Sequence, residues 1–240
     1  MKLAVVGSVG VPASYGGFET LAEHLIDLEG FDFTVYCSGK HYKERLPSYK
    51  GARLVYLPMS ANGVMSILYD ICSLVHGIVS GHRQFIILGT SGAIIIPFLR
   101  LLFSKINIVT NVDGKEWARP KWHGFARWFL KFSESIAVRY SNKVVADNDA
   151  IAEYIASHYG LDCEIIAYGG DHALIDVEPQ TKDSETDLGN DFALAVCRIE
   201  PENNVHMILQ AFALSGTELV FIGNWRASDY GNKLLSQYRS

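Results

Sequence analysis

Residues 2–28, KLAVVGSVGVPASYGGFETLAEHLIDL, decide the fold of this chain. The run from Lys2 to Gly7 is short and apolar, which predicts a β-strand. Leucines that recur every three or four residues predict an amphipathic helix from about Phe18 to Leu28. A strand followed by a loop and a helix is the arrangement in which an α/β protein builds a seat for an anion.

Gly16 and Gly17 lie at the predicted start of this helix. Glycine lets the backbone approach a ligand closely, and the unpaired amides and the positive end of the helix dipole favour a phosphate. We therefore interpret the pair as a phosphate seat. The alternative is an ordinary strand-to-helix turn, in which Glu19 only complements the helix start.

The composition is that of a globular protein. The chain has 240 residues, of which 49% are hydrophobic and 20% charged, enough to bury a large core in one or two domains. Its four cysteines are far apart, so neither a zinc site nor a disulfide framework is predicted, and a reducing cytoplasm fits best. We expect no leader peptide at Met1 and no membrane span, because no apolar stretch reaches ~20 residues. The longest apolar stretch, Gly92 to Phe103, is interpreted as a buried helix.

Charge is unevenly distributed along the chain. The net charge of −5 argues against nucleic acid as a partner. Residues 115–143 nevertheless contain seven Lys or Arg, two Glu and three Trp, a mixture typical of membrane-surface helices. The candidate residues for a membrane or acceptor surface are Lys115, Trp117, Arg119, Lys121 and Trp122. In the alternative interpretation the segment is a core-facing helix with a solvated basic side, whose core residues are Phe125, Phe129, Phe132, Ile136 and Tyr140.

Strand-like runs alternate with helical ones over residues 1–170. The predicted strands are Lys2–Gly7, Phe31–Tyr36, Arg53–Leu57, Phe85–Leu88, Ile106–Asn111, Lys143–Ala146 and Glu164–Ala167. Several are continuously apolar, as parallel strands covered on both faces are, so we predict a doubly wound, Rossmann-like α/β domain. Residues 171–190 are polar and acidic and are interpreted as a linker. Residues 191–240 begin a second α/β domain, with predicted strands from Phe192 and from Glu218 to Ile222, and are too few to complete it.

Five motifs, in order along nearly the whole chain, resemble the bacterial rhamnosyltransferase group of the retaining GT-B glycosyltransferases, which is glycosyltransferase family 4-like. The motifs are Gly10 to Glu19, Asn111-Val112-Asp113-Gly114 with Glu116-Trp117, Ala167-Tyr168-Gly169-Gly170-Asp171-His172, Cys197 to Asn204, and Gly223-Asn224-Trp225 with Ser228 to Gly231. The resemblance implies an amino-terminal domain for the acceptor and a carboxy-terminal domain for the nucleotide sugar. It also implies transfer of L-rhamnose from dTDP-L-rhamnose to a lipid-linked saccharide, in bacterial surface polysaccharide synthesis, by a cytoplasmic enzyme peripheral to the inner face of the plasma membrane.

Breaking a sugar–phosphate bond leaves negative charge on the departing diphosphate, so a transferase needs fixed donors and cations around it. Gly16 and Gly17 would offer amides, and Arg198 a guanidinium that grips two oxygens. Relatives usually carry a lysine a few residues after this arginine, where this chain has Asn203, which leaves one fewer cation. The further candidate contacts to donor or acceptor are Tyr15, Glu19, His172, Glu202, Asn203, Gly223 and Asn224.

Asp113 follows a predicted strand at the carboxyl edge of the sheet, where α/β proteins place their sites. The resemblance places the acceptor-side polar group in this region. We therefore predict that Asp113 contacts or deprotonates the acceptor hydroxyl. The alternative for a loop aspartate is that it only forms a turn.

Neither a metal nor a cofactor is predicted beyond the nucleotide-sugar donor. The sequence Asp147-Asn148-Asp149 follows an apolar strand, as a metal-binding D-x-D does. We prefer a cap for the helix that begins near Ala150, because Asn148 or Asp147 is well placed to cap it.

The chain ends before the region in which retaining relatives carry a glutamate pair that holds the donor. We therefore expect this chain alone to be weakly active or inactive. Two alternatives stay open: a GT-B transferase for another nucleotide sugar, and a non-catalytic module that binds the acceptor and the membrane. A dehydrogenase is disfavoured, because Gly7-Ser8-Val9-Gly10 lacks the third glycine of a dinucleotide fingerprint at the required spacing.

Overall fold

The structure, a computed structural model, describes residues 1–14, 16–112, 114–120, 122–170, 174 and 191–238. The chain divides into two compact units, Met1–Leu174 and Ile175–Ser240. The division falls within the stretch that the sequence marks as a linker. Apart from Leu174, that stretch lies outside the described residues.

The described part of the first unit is a sheet with helices on both faces. Its strands are β1 (Lys2–Val6), β2 (Asp32–Ser38), β3 (Ser48–Tyr49), β4 (Ala52–Leu57), β5 (Gln84–Leu88), β6 (Asn107–Val112), β7 (Lys143–Ala146) and β8 (Glu164–Ile165). Its α-helices are α1 (Gly17–Leu25), α2 (Met65–Val79), α3 (Ile96–Leu102), α4 (Gly124–Tyr140) and α5 (Asp149–Tyr159). The strand order is β3-β4-β2-β1-β5-β6-β7-β8, and every pairing is parallel except that of β3 with β4. The predicted strands of this unit are confirmed, and only the two-residue β3 was not predicted.

The two faces of the sheet carry different helices. One face packs against α2, α3 and α4, in a cluster that includes Ala4, Val6, Tyr69, Leu74, Ile96 and Ala137. The other face packs against α1, in a cluster that includes Leu3, Val5, Ala22, Ile26 and Val35. The alternation of side chains along β1 therefore supplies both layers of the core.

β1 lies inside the sheet, between β2 and β5. The chain leaves β1 toward β2 and later returns to place β5 on the other side, so the carboxyl ends of β1 and β5 flank a topological switch point. Open α/β sheets bind their ligands at such points. Gly7, directly after β1, has a φ of +96°, and a Cβ there would lie 2.1 Å from the carbonyl oxygen of Leu88. Only glycine fits where these two strands end.

The second unit contains a parallel strand pair, β9 (Ala193–Val196) and β10 (Leu219–Ile222), with helices α6 (Val205–Ser215) and α7 (Asp229–Tyr238). Its buried residues are Ile199, Val205 and Leu234. Gly223 follows β10 and is sterically required, since a Cβ there would lie 2.5 Å from the Ile199 side chain. The strand–helix–strand–helix order matches the predicted start of a second α/β domain.

Two predictions about helix faces are wrong. The stretch Gly92 to Phe103 forms a short 3-10 turn and α3, but Phe98, Leu101 and Leu102 are exposed, so the helix is buried on one side only. On α4, Phe125, Phe132 and Tyr140 are also exposed. The buried stripe of α4 is instead Leu130, Ser133, Glu134, Ala137 and Val138. Both sides of α4 carry apolar residues, and Ser133 and Glu134 can be buried because each is hydrogen-bonded.

No helix in the described part of the chain combines the length and the apolar character needed to cross a membrane.

The substitution Gly7→Ala tests the close approach of β1 to β5. We expect it to lower the free energy of unfolding by roughly 2–4 kcal/mol, because it adds a steric clash to an unfavourable φ. Gly51→Ala is the matched control, since Gly51 has a φ of +81° and open space around its Cβ position, and should cost about 1 kcal/mol. Urea unfolding of both variants measures the difference, and equal losses would contradict the steric argument.

Candidate functional site

The candidate site is a cavity of about 570 Å³ within the first unit. Its walls are α1, the carboxyl halves of β5, β6 and β7, and the segment after β8. The lining residues are Gly17, Thr20, Leu21, His24, Leu25, Ile86, Leu88, Val109, Asn111, Val145, Ile166, Ala167, Tyr168 and Gly169. Three sequence motifs that are far apart in the chain, around Gly17, Asn111 and Tyr168, therefore meet at this one place.

The first turn of α1 forms one end of the cavity. Gly16 is the N-cap residue, and no described side chain caps this helix end. A Cβ at Gly17 would have no neighbour within 4 Å, and one at Gly16 would meet only the Glu19 carboxylate, at 3.4 Å. Packing therefore does not require glycine at either position. The two residues leave open space beside the amino end of a helix, where an anion is favoured.

The loop between β1 and α1 is held by carboxylates of α1. Glu19 is 3% exposed, and its Oε1 accepts a hydrogen bond of 2.6 Å from the backbone N–H of Val9. Glu23 accepts a bond of the same length from the N–H of Ala13. The structure thus places Glu19 inside the protein, beside Gly16, where it joins the loop to the helix.

The loop after β5 is held by a buried acid of α2. The Asp70 carboxylate accepts a hydrogen bond from the Ser91 hydroxyl, and the Ser133 hydroxyl of α4 donates to the carbonyl of Thr90 at 2.6 Å. Burial raises the pKa of Asp70 to about 7, against the lowering effect of the bonds from Ser91 and Gly92. A Cβ at Gly92 would lie 2.3 Å from the Asp70 Cβ, so this contact also requires glycine.

Asn111 is the polar residue at the floor of the cavity. It is 6% exposed, and its amide Nδ2 donates to the Tyr168 hydroxyl at 3.2 Å. Its Oδ1 is buried and has no hydrogen-bond partner in the described part of the chain. An unpaired buried acceptor is costly, and this oxygen has almost no accessible surface, so a ligand in the cavity would reach it only after the Asn111 side chain turns. Sequence reasoning placed Asn111 in a motif but did not single it out.

Four predicted site residues lie outside the described residues. These are Tyr15, Asp113, Lys121 and His172. Asp113 comes two residues after Asn111, and Tyr15 directly precedes Gly16, so in sequence both adjoin residues placed at the carboxyl edge of the sheet.

In the second unit the predicted donor contacts follow the ends of β9 and β10. Arg198 is partly exposed, with its guanidinium 3.7 Å from the Glu200 carboxylate. Asn203 donates from its side-chain amide to the carbonyl of Arg198 at 2.8 Å, which fixes the backbone on which the guanidinium is mounted. Glu202 and Asn224 are exposed. Each strand of this pair therefore presents polar residues at its carboxyl end.

The predicted membrane surface at 115–122 is partly held inside the unit. The indole of Trp117 donates to Glu134 at 3.3 Å, and that of Trp122 to Glu116 at 2.9 Å. Arg119 pairs with Glu116 at 2.8 Å, and the Lys115 ammonium lies 4.0 Å from the centre of the Tyr154 ring. Of the four described residues of this predicted surface, Lys115 is exposed and Trp117, Arg119 and Trp122 are partly exposed.

Glu134 is a residue that sequence reasoning missed. It is 1% exposed, and besides Trp117 its Oε1 accepts hydrogen bonds from the hydroxyls of Tyr154, at 2.6 Å, and Tyr159, at 2.5 Å. Burial and this carboxylate raise the pKa of Tyr154 to about 12. The only signal in the sequence is an acid on an otherwise apolar stripe of α4. The cluster ties α4, α5 and the segment after β6 together.

Asn148 caps α5, as one interpretation of Asp147-Asn148-Asp149 predicted. Its Oδ1 accepts a hydrogen bond of 3.0 Å from the N–H of Ile151, and its amide donates to Asp147. Among the described residues no group of three His, Cys, Asp or Glu side chains is arranged to hold a metal ion.

Residues 1–171 match the family described as a domain of unknown function (DUF1972), and the chain belongs to that family. The match covers the whole described part of the first unit except Leu174. No curated protein matches the chain in sequence.

Solved structures show the fold. UDP-GlcNAc 2-epimerase from Methanocaldococcus jannaschii is 13% identical, with a TM-score of 0.51 over 100% of this chain and 69% of its own. UDP-GlcNAc 2-epimerase from Neisseria meningitidis, bound to UDP-GlcNAc, is 10% identical, with a TM-score of 0.50 over 99% of this chain and 69% of its own. Arabidopsis thaliana UGT89C1 complexed with UDP-L-rhamnose is 13% identical, with a TM-score of 0.50 over 92% of this chain and 63% of its own.

At these identities the likeness concerns the fold alone. It confirms the predicted fold, of GT-B type with Rossmann-like α/β layers. The chain spans about two thirds of the length of these structures, 63% to 69%.

The buried acid of α2 gives stability a defined pH dependence. The folded protein keeps the Asp70 proton up to about pH 7, while an unfolded carboxyl releases it near its ordinary pKa of 3.8. The folded state therefore binds more protons in this window, and the contribution of Asp70 to stability falls as the pH rises from about 4 to 7, by at most about 1.4 kcal/mol per pH unit. Asp70→Asn should remove that slope. Urea unfolding at several pH values measures it, and identical slopes in both proteins would contradict the assignment.

Proposed function

We propose that this member of the DUF1972 family is a retaining glycosyltransferase that moves L-rhamnose from dTDP-L-rhamnose to a lipid-linked saccharide acceptor. The observation that carries the proposal is the meeting of three motif segments in one cavity beside α1 and strands β5, β6 and β7. The same segments carry the resemblance to rhamnosyltransferases. The GT-B type of fold supports a nucleotide sugar as the donor.

The donor side consists of groups that bind the negatively charged diphosphate. The amino end of α1, with open space at Gly16 and Gly17, would bind an oxygen of the diphosphate through backbone amides. Arg198 is the residue that the resemblance assigns as a cation for the diphosphate, and its backbone is fixed by Asn203. As the sugar–phosphate bond breaks, negative charge grows on the leaving diphosphate, and these donors stabilise it.

The acceptor side centres on Asp113. A carboxylate at this carboxyl edge could take the proton of the acceptor hydroxyl as it attacks the anomeric carbon. The neighbouring Asn111, whose amide donates to the Tyr168 hydroxyl, supports a site with polar groups at this edge of the sheet. In this scheme no metal takes part, nucleic acid is not a partner, and the enzyme is cytoplasmic and peripheral to the inner face of the membrane.

A second candidate function is a transferase for a UDP sugar. Two of the similar structures hold such a compound, UDP-GlcNAc in the Neisseria meningitidis epimerase and UDP-L-rhamnose in Arabidopsis thaliana UGT89C1. The groups assigned to the donor recognise a diphosphate and not a base. Comparison of dTDP and UDP sugars in one binding assay separates the two candidates.

Gly17→Val tests the phosphate seat. We expect it to preserve folding, because the Cβ meets no neighbour, and to weaken binding of dTDP-L-rhamnose at least about tenfold, which corresponds to about 1.4 kcal/mol. Isothermal titration calorimetry on the full-length protein measures both dTDP-L-rhamnose and UDP-L-rhamnose. Ala156→Val, on the exposed side of α5, is the control and should bind normally. Unchanged affinity in Gly17→Val would remove this helix from the donor site.

Asp113→Asn tests the acceptor side. In the full-length protein, loss of the base should reduce the rate of transfer roughly 100-fold or more while the affinity for dTDP stays within about twofold, since the donor groups are unchanged. Asp147→Asn is the control, because Asp147 also follows a strand of the same sheet and has no role in the scheme. A full transfer rate in Asp113→Asn would exclude it as the base.

A further inference from the structure

Helix α2 exposes a continuous apolar stripe. Val64, just before the helix, is 65% exposed, Leu68 is 51%, Val75 is 40% and Val79 is 80%. These positions are spaced by four or seven residues and lie on one side of the helix, away from Leu74 and Ile78 in the core. An exposed stripe of large apolar residues on a soluble surface marks an interaction site.

Helices α3 and α4, on the same face of the sheet as α2, continue this apolar surface. On α3 the exposed residues are Phe98 at 62%, Leu101 at 83% and Leu102 at 71%. On α4 they are Phe125 at 75%, Trp128 at 60% and Phe132 at 41%. The Trp128 ring stacks on that of Phe132, with centroids 5.7 Å apart, and lies 5.6 Å from that of Phe125. The exposed apolar residues of the three helices are called the outer helical surface below.

The charged side chains that these helices expose to solvent are all positive. The carboxylates of the three helices, Asp70 and Glu134, are both buried. The exposed or partly exposed charged residues are Arg100, Arg127, Lys131 and Arg139. The described part of α2, α3 and α4 therefore combines exposed rings and aliphatic side chains with positive charge alone.

We propose that the outer helical surface docks on the surface of an anionic lipid bilayer, inserting its rings among the headgroups while the cations contact lipid phosphates. This inference rests on the proposed function, which requires access to a lipid-linked acceptor. Exposed aromatic rings beside Lys and Arg side chains are typical of protein surfaces that bind anionic bilayers. An indole is well suited to the interface between lipid and water. Charge selects the bilayer over a second copy of the chain, because pairing two such faces would bring cations against cations.

The docking residues differ from those that the sequence suggested. Trp117 and Trp122 donate their indole N–H groups to carboxylates within the protein, and each is only partly exposed. Trp128 is 60% exposed and lies on the opposite side of α4 from the buried Ala137, nine residues along the helix. The indole that enters the lipid is therefore that of Trp128.

Vesicle sedimentation tests the surface. The full-length protein should bind phosphatidylcholine vesicles that contain phosphatidylglycerol, and bind vesicles without it at least tenfold more weakly. Phe125→Ser with Trp128→Ser should reduce binding at least tenfold. The control Leu214→Ser, at an equally exposed apolar residue of the second unit, should leave it within twofold. Circular dichroism confirms folding of each variant. No binding to anionic vesicles, or equal binding by the double variant and the control, would overturn the proposal.

Quenching of tryptophan fluorescence by brominated lipid identifies the inserted indole. Quenching should persist in Trp117→Phe and Trp122→Phe and be lost in Trp128→Phe; the reverse result would place docking at 115–122 and overturn the assignment. A concentration-dependent dimer abolished by Trp128→Ser, without vesicle binding, would assign the surface to a second copy. Calorimetry with dTDP-L-rhamnose on the same proteins separates the two claims, since docking without donor binding contradicts only the proposed function, and donor binding without docking contradicts only this surface.

Discussion

The close approach of Gly7 to the carbonyl of Leu88 is the constraint on which the rest of the first unit depends. It lets β1 and β5 end side by side, so that the loop after β1 leaves the sheet directly at the switch point. Glu19 then fixes the return of that loop through its bond to Val9. The amino end of α1 is thereby brought beside Asn111 of β6, and the cavity between them follows from this geometry.

Two buried carboxylates hold the surroundings of that cavity from the opposite face of the sheet. Asp70 of α2 fixes the loop after β5. Glu134 of α4 accepts hydrogen bonds from Trp117, Tyr154 and Tyr159. All three donors to Glu134 bind its Oε1, and its Oε2 is buried with no hydrogen-bond partner in the described part of the chain, so this carboxylate is incompletely satisfied. The same helices also carry large apolar residues on their outward side. These helices bury acidic side chains and expose aromatic rings, which is the reverse of an ordinary surface helix. They therefore have two roles: they fix the loops around the site and, in our proposal, they contact the membrane.

Much of the fold could be predicted because its signals are local. The strands of the first unit are continuous apolar runs, and the cap at Asn148 lies within three residues of the amide that it accepts from. The buried side of α4 could not be predicted, because apolar residues lie on both sides of it and the burial of Glu134 depends on tyrosines 20 and 25 residues away. The glycine pair at the start of α1 was found from its position after a strand. Asn111 was not, since its unpaired oxygen arises only from packing against α1 and Tyr168. The roles of Asp113, Arg198 and the remaining contacts stay predictions.

The most direct measurement of the central claim is a titration of the ¹⁵N-labelled full-length protein with dTDP, followed by amide chemical shifts. We expect the amides of Gly16, Gly17 and Phe18 to shift first and furthest in the first unit, because a phosphate binds at the amino end of α1 and not along the rest of the cavity. Saturable shifts confined to other parts of the sheet edge, or no saturable shift at all, would contradict a nucleotide-sugar site built on this helix.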